Sequence, residues 1–363
     1  MLTRRFPRVG RACFACLLVL SLPAEAQTLR YLGQQLVPYG YEFSGTTVGG
    51  LSGLDYDTTT NRFVAISDDR SERQPARFYT LKLDPAVFSD GDQAGFAGVR
   101  FLEMTTFKTV AGVTHAAGTV DPEAIRHAGD GGYWWASEGN ARRDIAPAVE
   151  KVGADGTALH HVELPSHYMP GPDRGVRPNL AFESLALGDG RLIVGTENAL
   201  MQDGPPADIE QPSPARLLVF DMASGRLIAE HVYPVDAVPL APPLPGLYRT
   251  NGLVDLLAGE GMLLALERSY TMGIGNSIRI YRIELAGASD VARHATLARE
   301  HYVPVRKKLL LDLGLLEVTL DNLEGLSWGP RLPNGRRSLV LVSDNNFSAR
   351  QLTQFLLFEL GYP

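Results

Sequence analysis

The sequence predicts an all-β chain built as a β-propeller of four-stranded blades, and three observations carry that reading. A short apolar strand opened by a polar residue recurs five times along the chain. Each opener is followed at a near-constant distance by a strongly apolar strand that ends in an acid. Finally, few stretches hold the apolar period of a helix, while Gly and Pro recur throughout.

The openers are Ser52, Glu123, Glu183, Asn251 and Glu324, spaced 71, 60, 68 and 73 residues apart. The acids closing the second strands are Asp68, Glu138, Glu197, Glu267 and Asp344, which lie 16, 15, 14, 16 and 20 residues after their openers. A repeated interval of this size is a hairpin, strand one to strand two. Third strands are expected at residues 76–81, 216–220, 277–283 and 354–358, and fourth strands at 99–104, 160–164, 227–233 and 296–302. Residues 305–320 stay ambiguous between helix and strand. The fifth unit reaches the C-terminus without a fourth strand, and residues 28–37 form a lone β-like segment before the first unit. Pairing that segment into the last blade would close the ring and remove an open sheet edge. Counting gives five blades; six would need a degenerate unit within residues 84–120.

The N-terminus sets the expected compartment. Arg4, Arg5, Arg8 and Arg11 precede an apolar run at residues 12–22 and then Ala24-Glu25-Ala26. That order is a secretory signal peptide cut after Ala26, and its apolar run is about half the length needed to span a bilayer. The expectation is a periplasmic or secreted protein without a membrane span, forming one propeller domain over residues 27–363. Both cysteines, Cys13 and Cys16, lie in the removed segment, so stability must come from core burial rather than disulfides. Loss of four arginines and one glutamate moves the net charge from −7 to about −10. This argues against nucleic acid and anionic membranes as partners and favours cations, or a small anionic substrate gathered by local arginines. The chain is expected to be a monomer.

In a propeller the first strand of each blade lines the axis, so openers and strand-two ends converge. Eight of the ten positions are carboxylates. Gathered acids raise one another's pKa unless a cation neutralises them, and an all-oxygen set suits Ca²⁺ better than zinc. A strand-opening Glu has a second use, as a hydrogen-bonded staple to the next blade's backbone. Arg70, Arg142, Arg143, Arg268 and Arg350 follow several of the acids. They are placed either to bind phosphate bidentately or to pair with the acids beside them. Gly325-Leu326-Ser327-Trp328-Gly329 matches G-x-S-x-G, but it lies in an expected strand rather than at a strand-turn-helix elbow. No partner spacing singles out any of His115, His127, His160, His161 or His167 as a general base.

Three segment pairs carry a family resemblance. They are Asp121-Pro122-Glu123-Ala124-Ile125 with Trp135-Ala136-Ser137-Glu138-Gly139-Asn140, Asp321-Asn322-Leu323-Glu324-Gly325-Leu326-Ser327 with Val342-Ser343-Asp344-Asn345-Asn346, and Leu51-Ser52-Gly53-Leu54-Asp55-Tyr56-Asp57 with Ser67-Asp68-Asp69. Together they resemble the phytase-like family of exported bacterial proteins, described as esterase-like activity of phytase, over about residues 45–360. The resemblance implies a β-propeller with phosphomonoesterase or esterase activity, calcium-dependent by analogy with propeller phytases. It assigns no catalytic residues. The chain departs from the repeat at Ser52 and Asn251, where the opening acid is missing.

The resulting expectation is an exported hydrolase of phosphate esters. Calcium would be held by Glu123, Glu138, Glu183, Glu197, Glu324 and Asp344, with Asp68 and Glu267 completing the set. Arg70, Arg142, Arg268 and Arg350 would receive the substrate. The competing class is a non-catalytic propeller that binds a ligand or envelope component through one face.

Overall fold

Five antiparallel four-stranded sheets succeed one another along the chain. The computed structural model describes residues 27–88 and 95–361, and the expected signal peptide at residues 1–26 lies outside the described residues. Blade one comprises Leu51–Asp57, Arg62–Ser67, Arg77–Leu83 and Val99–Thr106; blade two comprises Pro122–His127, Tyr133–Ser137, Ala148–Val152 and Ala158–His161. Blade three comprises Phe182–Gly188, Arg191–Thr196, Ser213–Asp221 and Arg226–Val235, and blade four Arg249–Gly259, Met262–Thr271, Gly275–Glu284 and Arg306–Asp312. Blade five takes Asn322–Arg331, Arg337–Asp344 and Thr353–Gly361 from the C-terminal end and Thr28–Val37 from the N-terminal end. The pairing of Thr28–Val37 with Thr353–Gly361 is antiparallel over nearly its whole length, so the ring is closed as the sequence predicts. Residues 84–120 hold a single 3₁₀ turn, the outer strand of blade one and a loop, leaving no sixth blade among the described residues.

The core is a set of five seams. Apolar clusters join blades one and two (Ile66 and Phe78 to Ile125 and Trp135), two and three (Trp134 and Val149 to Phe182 and Leu185), and three and four (Leu217 and Tyr233 to Leu253 and Leu256). Two more join four to five (Leu264 and Ile280 to Leu326 and Leu339) and five to one (Val342 and Phe355 to Leu51 and Leu54). Both faces of each blade are thus buried, which is why the second and third strands read as continuous apolar runs rather than alternating ones.

One expected strand is displaced. Residues 296–302 are loop, and the outer strand of blade four is Arg306–Asp312, inside the segment that sequence left ambiguous. The apolar residues that imitate a strand belong to a strap over blade three: Val291 and Leu297 pack on Val232, and the Leu297 amide donates to Asp203 Oδ1 at 2.8 Å. Asp203 and Glu230 in turn hold the fully buried Arg216 from two sides. The outer strand begins Arg306-Lys307-Lys308, and charge at an edge discourages pairing with other chains.

Toward one end the axis is filled. The buried Arg126 guanidinium of blade two donates to Leu54 O (2.7 Å), Asp255 Oδ1 (2.6 Å), Leu256 O (2.6 Å) and Leu326 O (3.3 Å). Asp255 Oδ2 accepts from the Leu326 amide at 2.7 Å. One side chain therefore ties the inner strands of four blades, and its ion pair is buried on both sides.

Candidate functional site

Strand register decides which residues meet on the axis. In blades one, two, three and five the inner strand carries a bulge at Ser52, Glu123, Glu183 and Glu324, where the chain slips one residue against its neighbour. In blade four the same bulge falls at Val254, three residues beyond Asn251. The position just past the partner of the residue before the bulge is Asp68, Glu138, Glu197 and Asp344 in the four regular blades. In blade four it is Arg268. Blade four therefore brings Arg268 to the cavity where sequence repetition suggested Glu267, and its bulged Val254 packs in the apolar seam with blade five.

Eight carboxylates, the expected Asp68, Glu123, Glu138, Glu183, Glu197, Glu324 and Asp344 together with Asp321, line one cavity of about 670 Å³ with Arg70, Arg268 and Arg350. Two expected members lie elsewhere. Glu267 turns into blade four, where it accepts from Tyr233 Oη (2.8 Å), Asn251 Nδ2 (2.9 Å) and Lys307 Nζ (2.5 Å). Its charge is met by its own lysine, which also lies over the rings of Tyr233 and Tyr281. Arg142 is exposed on a 3₁₀ turn at Ala141–Arg143 and does not line the cavity. Ser327 is buried within the inner strand of blade five and donates to Trp328 O at 2.7 Å, so G-x-S-x-G forms no nucleophile elbow here. None of the histidines lines the cavity.

Two glycines make room for the acids. A Cβ on Gly50 would sit 1.9 Å from Asp68 Oδ1, and one on Gly252 would sit 2.2 Å from Glu197 Oε1. Gly50 also has φ +64, which a side chain would strain.

The acids fall into two kinds. Glu324 and Asp344 have protein partners: Arg268 Nη2 donates to Glu324 at 2.7 Å, and Asn322 Nδ2 reaches Glu324 at 3.0 Å and Asp344 at 3.3 Å. The Asn346 amide adds a 2.6 Å bond to Asp344. On the opposite side, Asp121, Glu123 and Glu138 form one oxygen triad, and Glu138, Glu183 and Glu197 form a second. Within each triad the ligand atoms lie within 4.8 Å of one another, and Glu138 belongs to both. The stapling role also appears: Glu138 accepts from the Ala181 amide of the next blade, and Ser52 Oγ donates to Glu123 O at 2.9 Å. Arg70 caps the first triad through a 2.6 Å pair with Asp121.

Burial, and then mutual repulsion, push Glu123 and Glu183 well above the usual carboxylate range. Burial does the same for Glu138 and Asp344 and raises Asp68 and Glu197 to about 7, with Arg268 pulling Glu197 back down. The buried Asp68 Oδ1 and Asp121 Oδ1 have no hydrogen-bond partner. So many crowded acids require either protons or a cation. An oxygen-only donor set fits a hard cation such as Ca²⁺, which accepts carboxylate and carbonyl oxygens in flexible geometry.

Sequence reasoning missed Asp121, Asn322, Arg126 and Asp255. Asp121 and Asn322 each stand two residues before an opening glutamate, and that offset was the available signal. Arg126 and Asp255 gave none, because they occur once each and no repeat marks them.

A five-bladed propeller whose axis ends in a cup of carboxylates crossed by arginines is the class that fold and site define. The chain belongs to the phytase-like family, described as esterase-like activity of phytase, whose model matches residues 46–347. No curated protein matches it. Solved propellers resemble it at low identity. An endo-arabinase from Bacteroides thetaiotaomicron is 9% identical at a TM-score of 0.45, with 90% of this chain and 97% of that one covered. The catalytic domain of a GH62 α-L-arabinofuranosidase from Coprinopsis cinerea is 9% identical at 0.44, covering 94% and 100%. A bifunctional GH43-CE protein from Bacteroides eggerthii is 10% identical at 0.46, covering 90% and 34%. Similarity at this level says nothing of substrate. Among the described residues no helix is long and apolar enough to cross a membrane.

Proposed function

We propose that the protein is an exported hydrolase of phosphate esters that takes its substrate in the axial cavity with calcium bound to the acids. The observation that carries this reading is the pair of oxygen triads sharing Glu138, four of whose five acids, Glu123, Glu138, Glu183 and Glu197, line one cavity beside arginines. Family membership supports ester hydrolysis, and the chemistry of the donor set supports calcium. Asp121, Glu123, Glu138, Glu183 and Glu197 would hold the metal. When bound, calcium neutralises substrate charge and polarises the phosphoryl group.

The chain's own residues then orient the substrate. Arg268 reaches into the cavity from blade four and Arg70 from blade one, while the exposed Arg350 stands at its wall. Planar guanidinium groups bind phosphate through paired N–H bonds, so these three fix the ester's orientation rather than merely attracting it. The filled axis at Arg126 makes the site a cup, and the ester enters and leaves by the same mouth. The reaction is cleavage of the ester P–O bond: a water oxygen joins phosphorus and the alcohol departs with a proton. The active form is a monomer, a single domain over residues 27–363 released by cleavage after Ala26.

The test is hydrolysis of a panel of phosphate and carboxylic esters, with calcium and with EGTA. Expected are phosphate release that EGTA abolishes and calcium restores, and loss of both activity and calorimetric calcium binding in Glu138→Gln. Carboxylic ester cleavage alone, or phosphatase activity unaffected by EGTA and by Glu138→Gln, overturns the reading.

A further inference from the structure

The cavity is acidic on four sides only. Its blade-four wall is made of Tyr248, Thr250, Arg268, Tyr270 and Asn276, without a carboxylate. The rings of Tyr248 and Tyr270 lie 6.2 Å apart, and the Asn276 Oδ1 atom is buried without a partner. Beyond this wall the surface turns apolar. Leu240, Leu244, Tyr248, Met272 and Ile274 are each between 41% and 63% exposed, and all five stand on two adjacent loops.

These loops form one surface rather than scattered tips. The Met272 amide donates to Tyr248 O at 2.9 Å, and Thr271 Oγ1 donates to Leu240 O at 3.0 Å. The Pro243 ring lies so close over Gly273 that a Cβ there would come within 2.8 Å of it. Exposed apolar side chains occurring singly need no explanation, but a contiguous group bordering a polar cavity marks a binding surface. Tyr248 belongs to both the cavity wall and the apolar surface, so a ligand lying along blade four would pass without a break from arginine to tyrosine to leucine and isoleucine.

We infer that the ester taken by this cavity is an amphiphile, a phosphate monoester of a long-chain alcohol. Its phosphate meets Arg268, and its chain lies across Tyr248 onto Leu244, Met272 and Ile274. A hydroxyl beside the phosphate would satisfy Asn276 Oδ1. The inference rests on the phosphate-ester reading and adds the class of alcohol. It also accounts for the lone blade without axial acids, since a chain cannot leave the cup over ionised carboxylates without stripping them of water.

The experiment compares butyl, octyl and dodecyl phosphate, each below its micelle concentration, with glycerol 2-phosphate. The proteins are the wild type and Leu244→Ser/Ile274→Ser, whose exposed changes do not touch the cavity lining. A methylene half-buried on an open surface should tighten binding by about twofold. KM should therefore fall with chain length in the wild type by about twofold per methylene until the patch is covered. It should be flat in the double variant, with glycerol 2-phosphate cleaved equally by both proteins. A KM independent of chain length in a wild type that cleaves all the esters overturns the inference and leaves the phosphatase reading standing. If no ester is cleaved, that reading fails and calorimetry decides the inference alone. Affinity for alkyl phosphates that rises with chain length in the wild type only upholds it, and affinity without chain dependence overturns it. A flat chain dependence accompanied by adsorption to neutral phosphatidylcholine vesicles, or by a dimer that the double variant abolishes, also overturns it and gives the patch to a membrane or a second copy.

Discussion

Replacing Arg268 by Gln isolates the internal cation of the acid ring. Arg268 is 2.7 Å from Glu324 and 3.7 Å from Glu197, and both acids are almost fully buried. Breaking a buried ion pair by removing one partner costs about 3–5 kcal/mol. The carboxylates have an escape, because each can take a proton, and the cost per acid is then limited to about 1.4 kcal/mol per pH unit above its unfolded pKa. For a glutamate with an unfolded pKa near 4.3 that limit is about 4 kcal/mol at pH 7.5 and about 1 kcal/mol at pH 5. Glu197 already stands at about 7 with Arg268 in place, so most of the additional loss at pH 7.5 comes from breaking the buried 2.7 Å ion pair between Arg268 and Glu324. The sign follows from direction: a carboxyl held above its unfolded value costs nothing once both states are protonated, and destabilises increasingly as pH rises. We therefore expect Arg268→Gln to lower the calcium-free protein's stability by about 4 kcal/mol at pH 7.5 and by about 1 kcal/mol at pH 5. Urea denaturation followed by circular dichroism at the two pH values, in EGTA, measures both. Equal losses at the two pH values, or a larger loss at pH 5, would refute the claim that Arg268 acts by neutralising buried acids.

Arg126→Met removes the guanidinium on the axis and leaves Asp255, pushed up to about 6 by burial even with its partner present, without a cation. A stability loss of about 3–5 kcal/mol in urea denaturation is expected, with part regained in Arg126→Met/Asp255→Asn; no regain would mean that packing, not charge, dominates there. Gly252→Ala should displace Glu197 from the second triad and weaken calcium binding by calorimetry about tenfold, while Gly246→Ala, which meets no atoms within 4 Å, should leave it unchanged. Removing Thr28–Val37 should expose the Thr353–Gly361 edge and produce aggregation on size-exclusion chromatography; a soluble monomer of undiminished stability would show that the closing strand is dispensable.

The blade grammar was legible because burial of both sheet faces imposes it. Each second strand had to be a run such as Val64-Ala65-Ile66 or Leu339-Val340-Leu341 to fill two seams at once, so the repeats survive despite weak identity. The converging acids were legible for a related reason, since they stand at fixed offsets from those runs. What failed in blade four was a coincidence of local sequence. Asn251-Gly252-Leu253 imitates Glu324-Gly325-Leu326, but the bulge lies at Val254, and a three-residue slip exchanges Glu267 for Arg268 on the axis. A bulge is one unpaired residue with no required side chain, so composition could not reveal its place. The strap at residues 291–302 misled for a different reason: its apolar residues serve the outside of blade three, and strand-like composition does not distinguish a sheet partner from a docked loop.

Blade four is therefore the blade that breaks the ring's symmetry, and its departures form one chemical pattern. Where its neighbours bring acids to the axis it brings Arg268; where they leave an acid exposed to the cavity it buries Glu267 against Lys307. Beside these it adds tyrosines and an apolar pair of loops. A fully acidic ring would hold cations equally on all sides and would give an anionic ester no preferred direction. With one wall cationic and then apolar, the electrostatic potential across the cup is polarised. A bound cation is favoured toward Glu138, an anion is favoured between it and Arg268, and whatever is attached to the anion is directed outward over Tyr248. Changing Arg268 to Glu while leaving the triads intact would test that polarity: calcium binding should persist or strengthen while affinity for inorganic phosphate in the presence of calcium is lost. Retained phosphate affinity in that variant would mean that the metal alone holds the anion, and the asymmetry of blade four would then need another explanation.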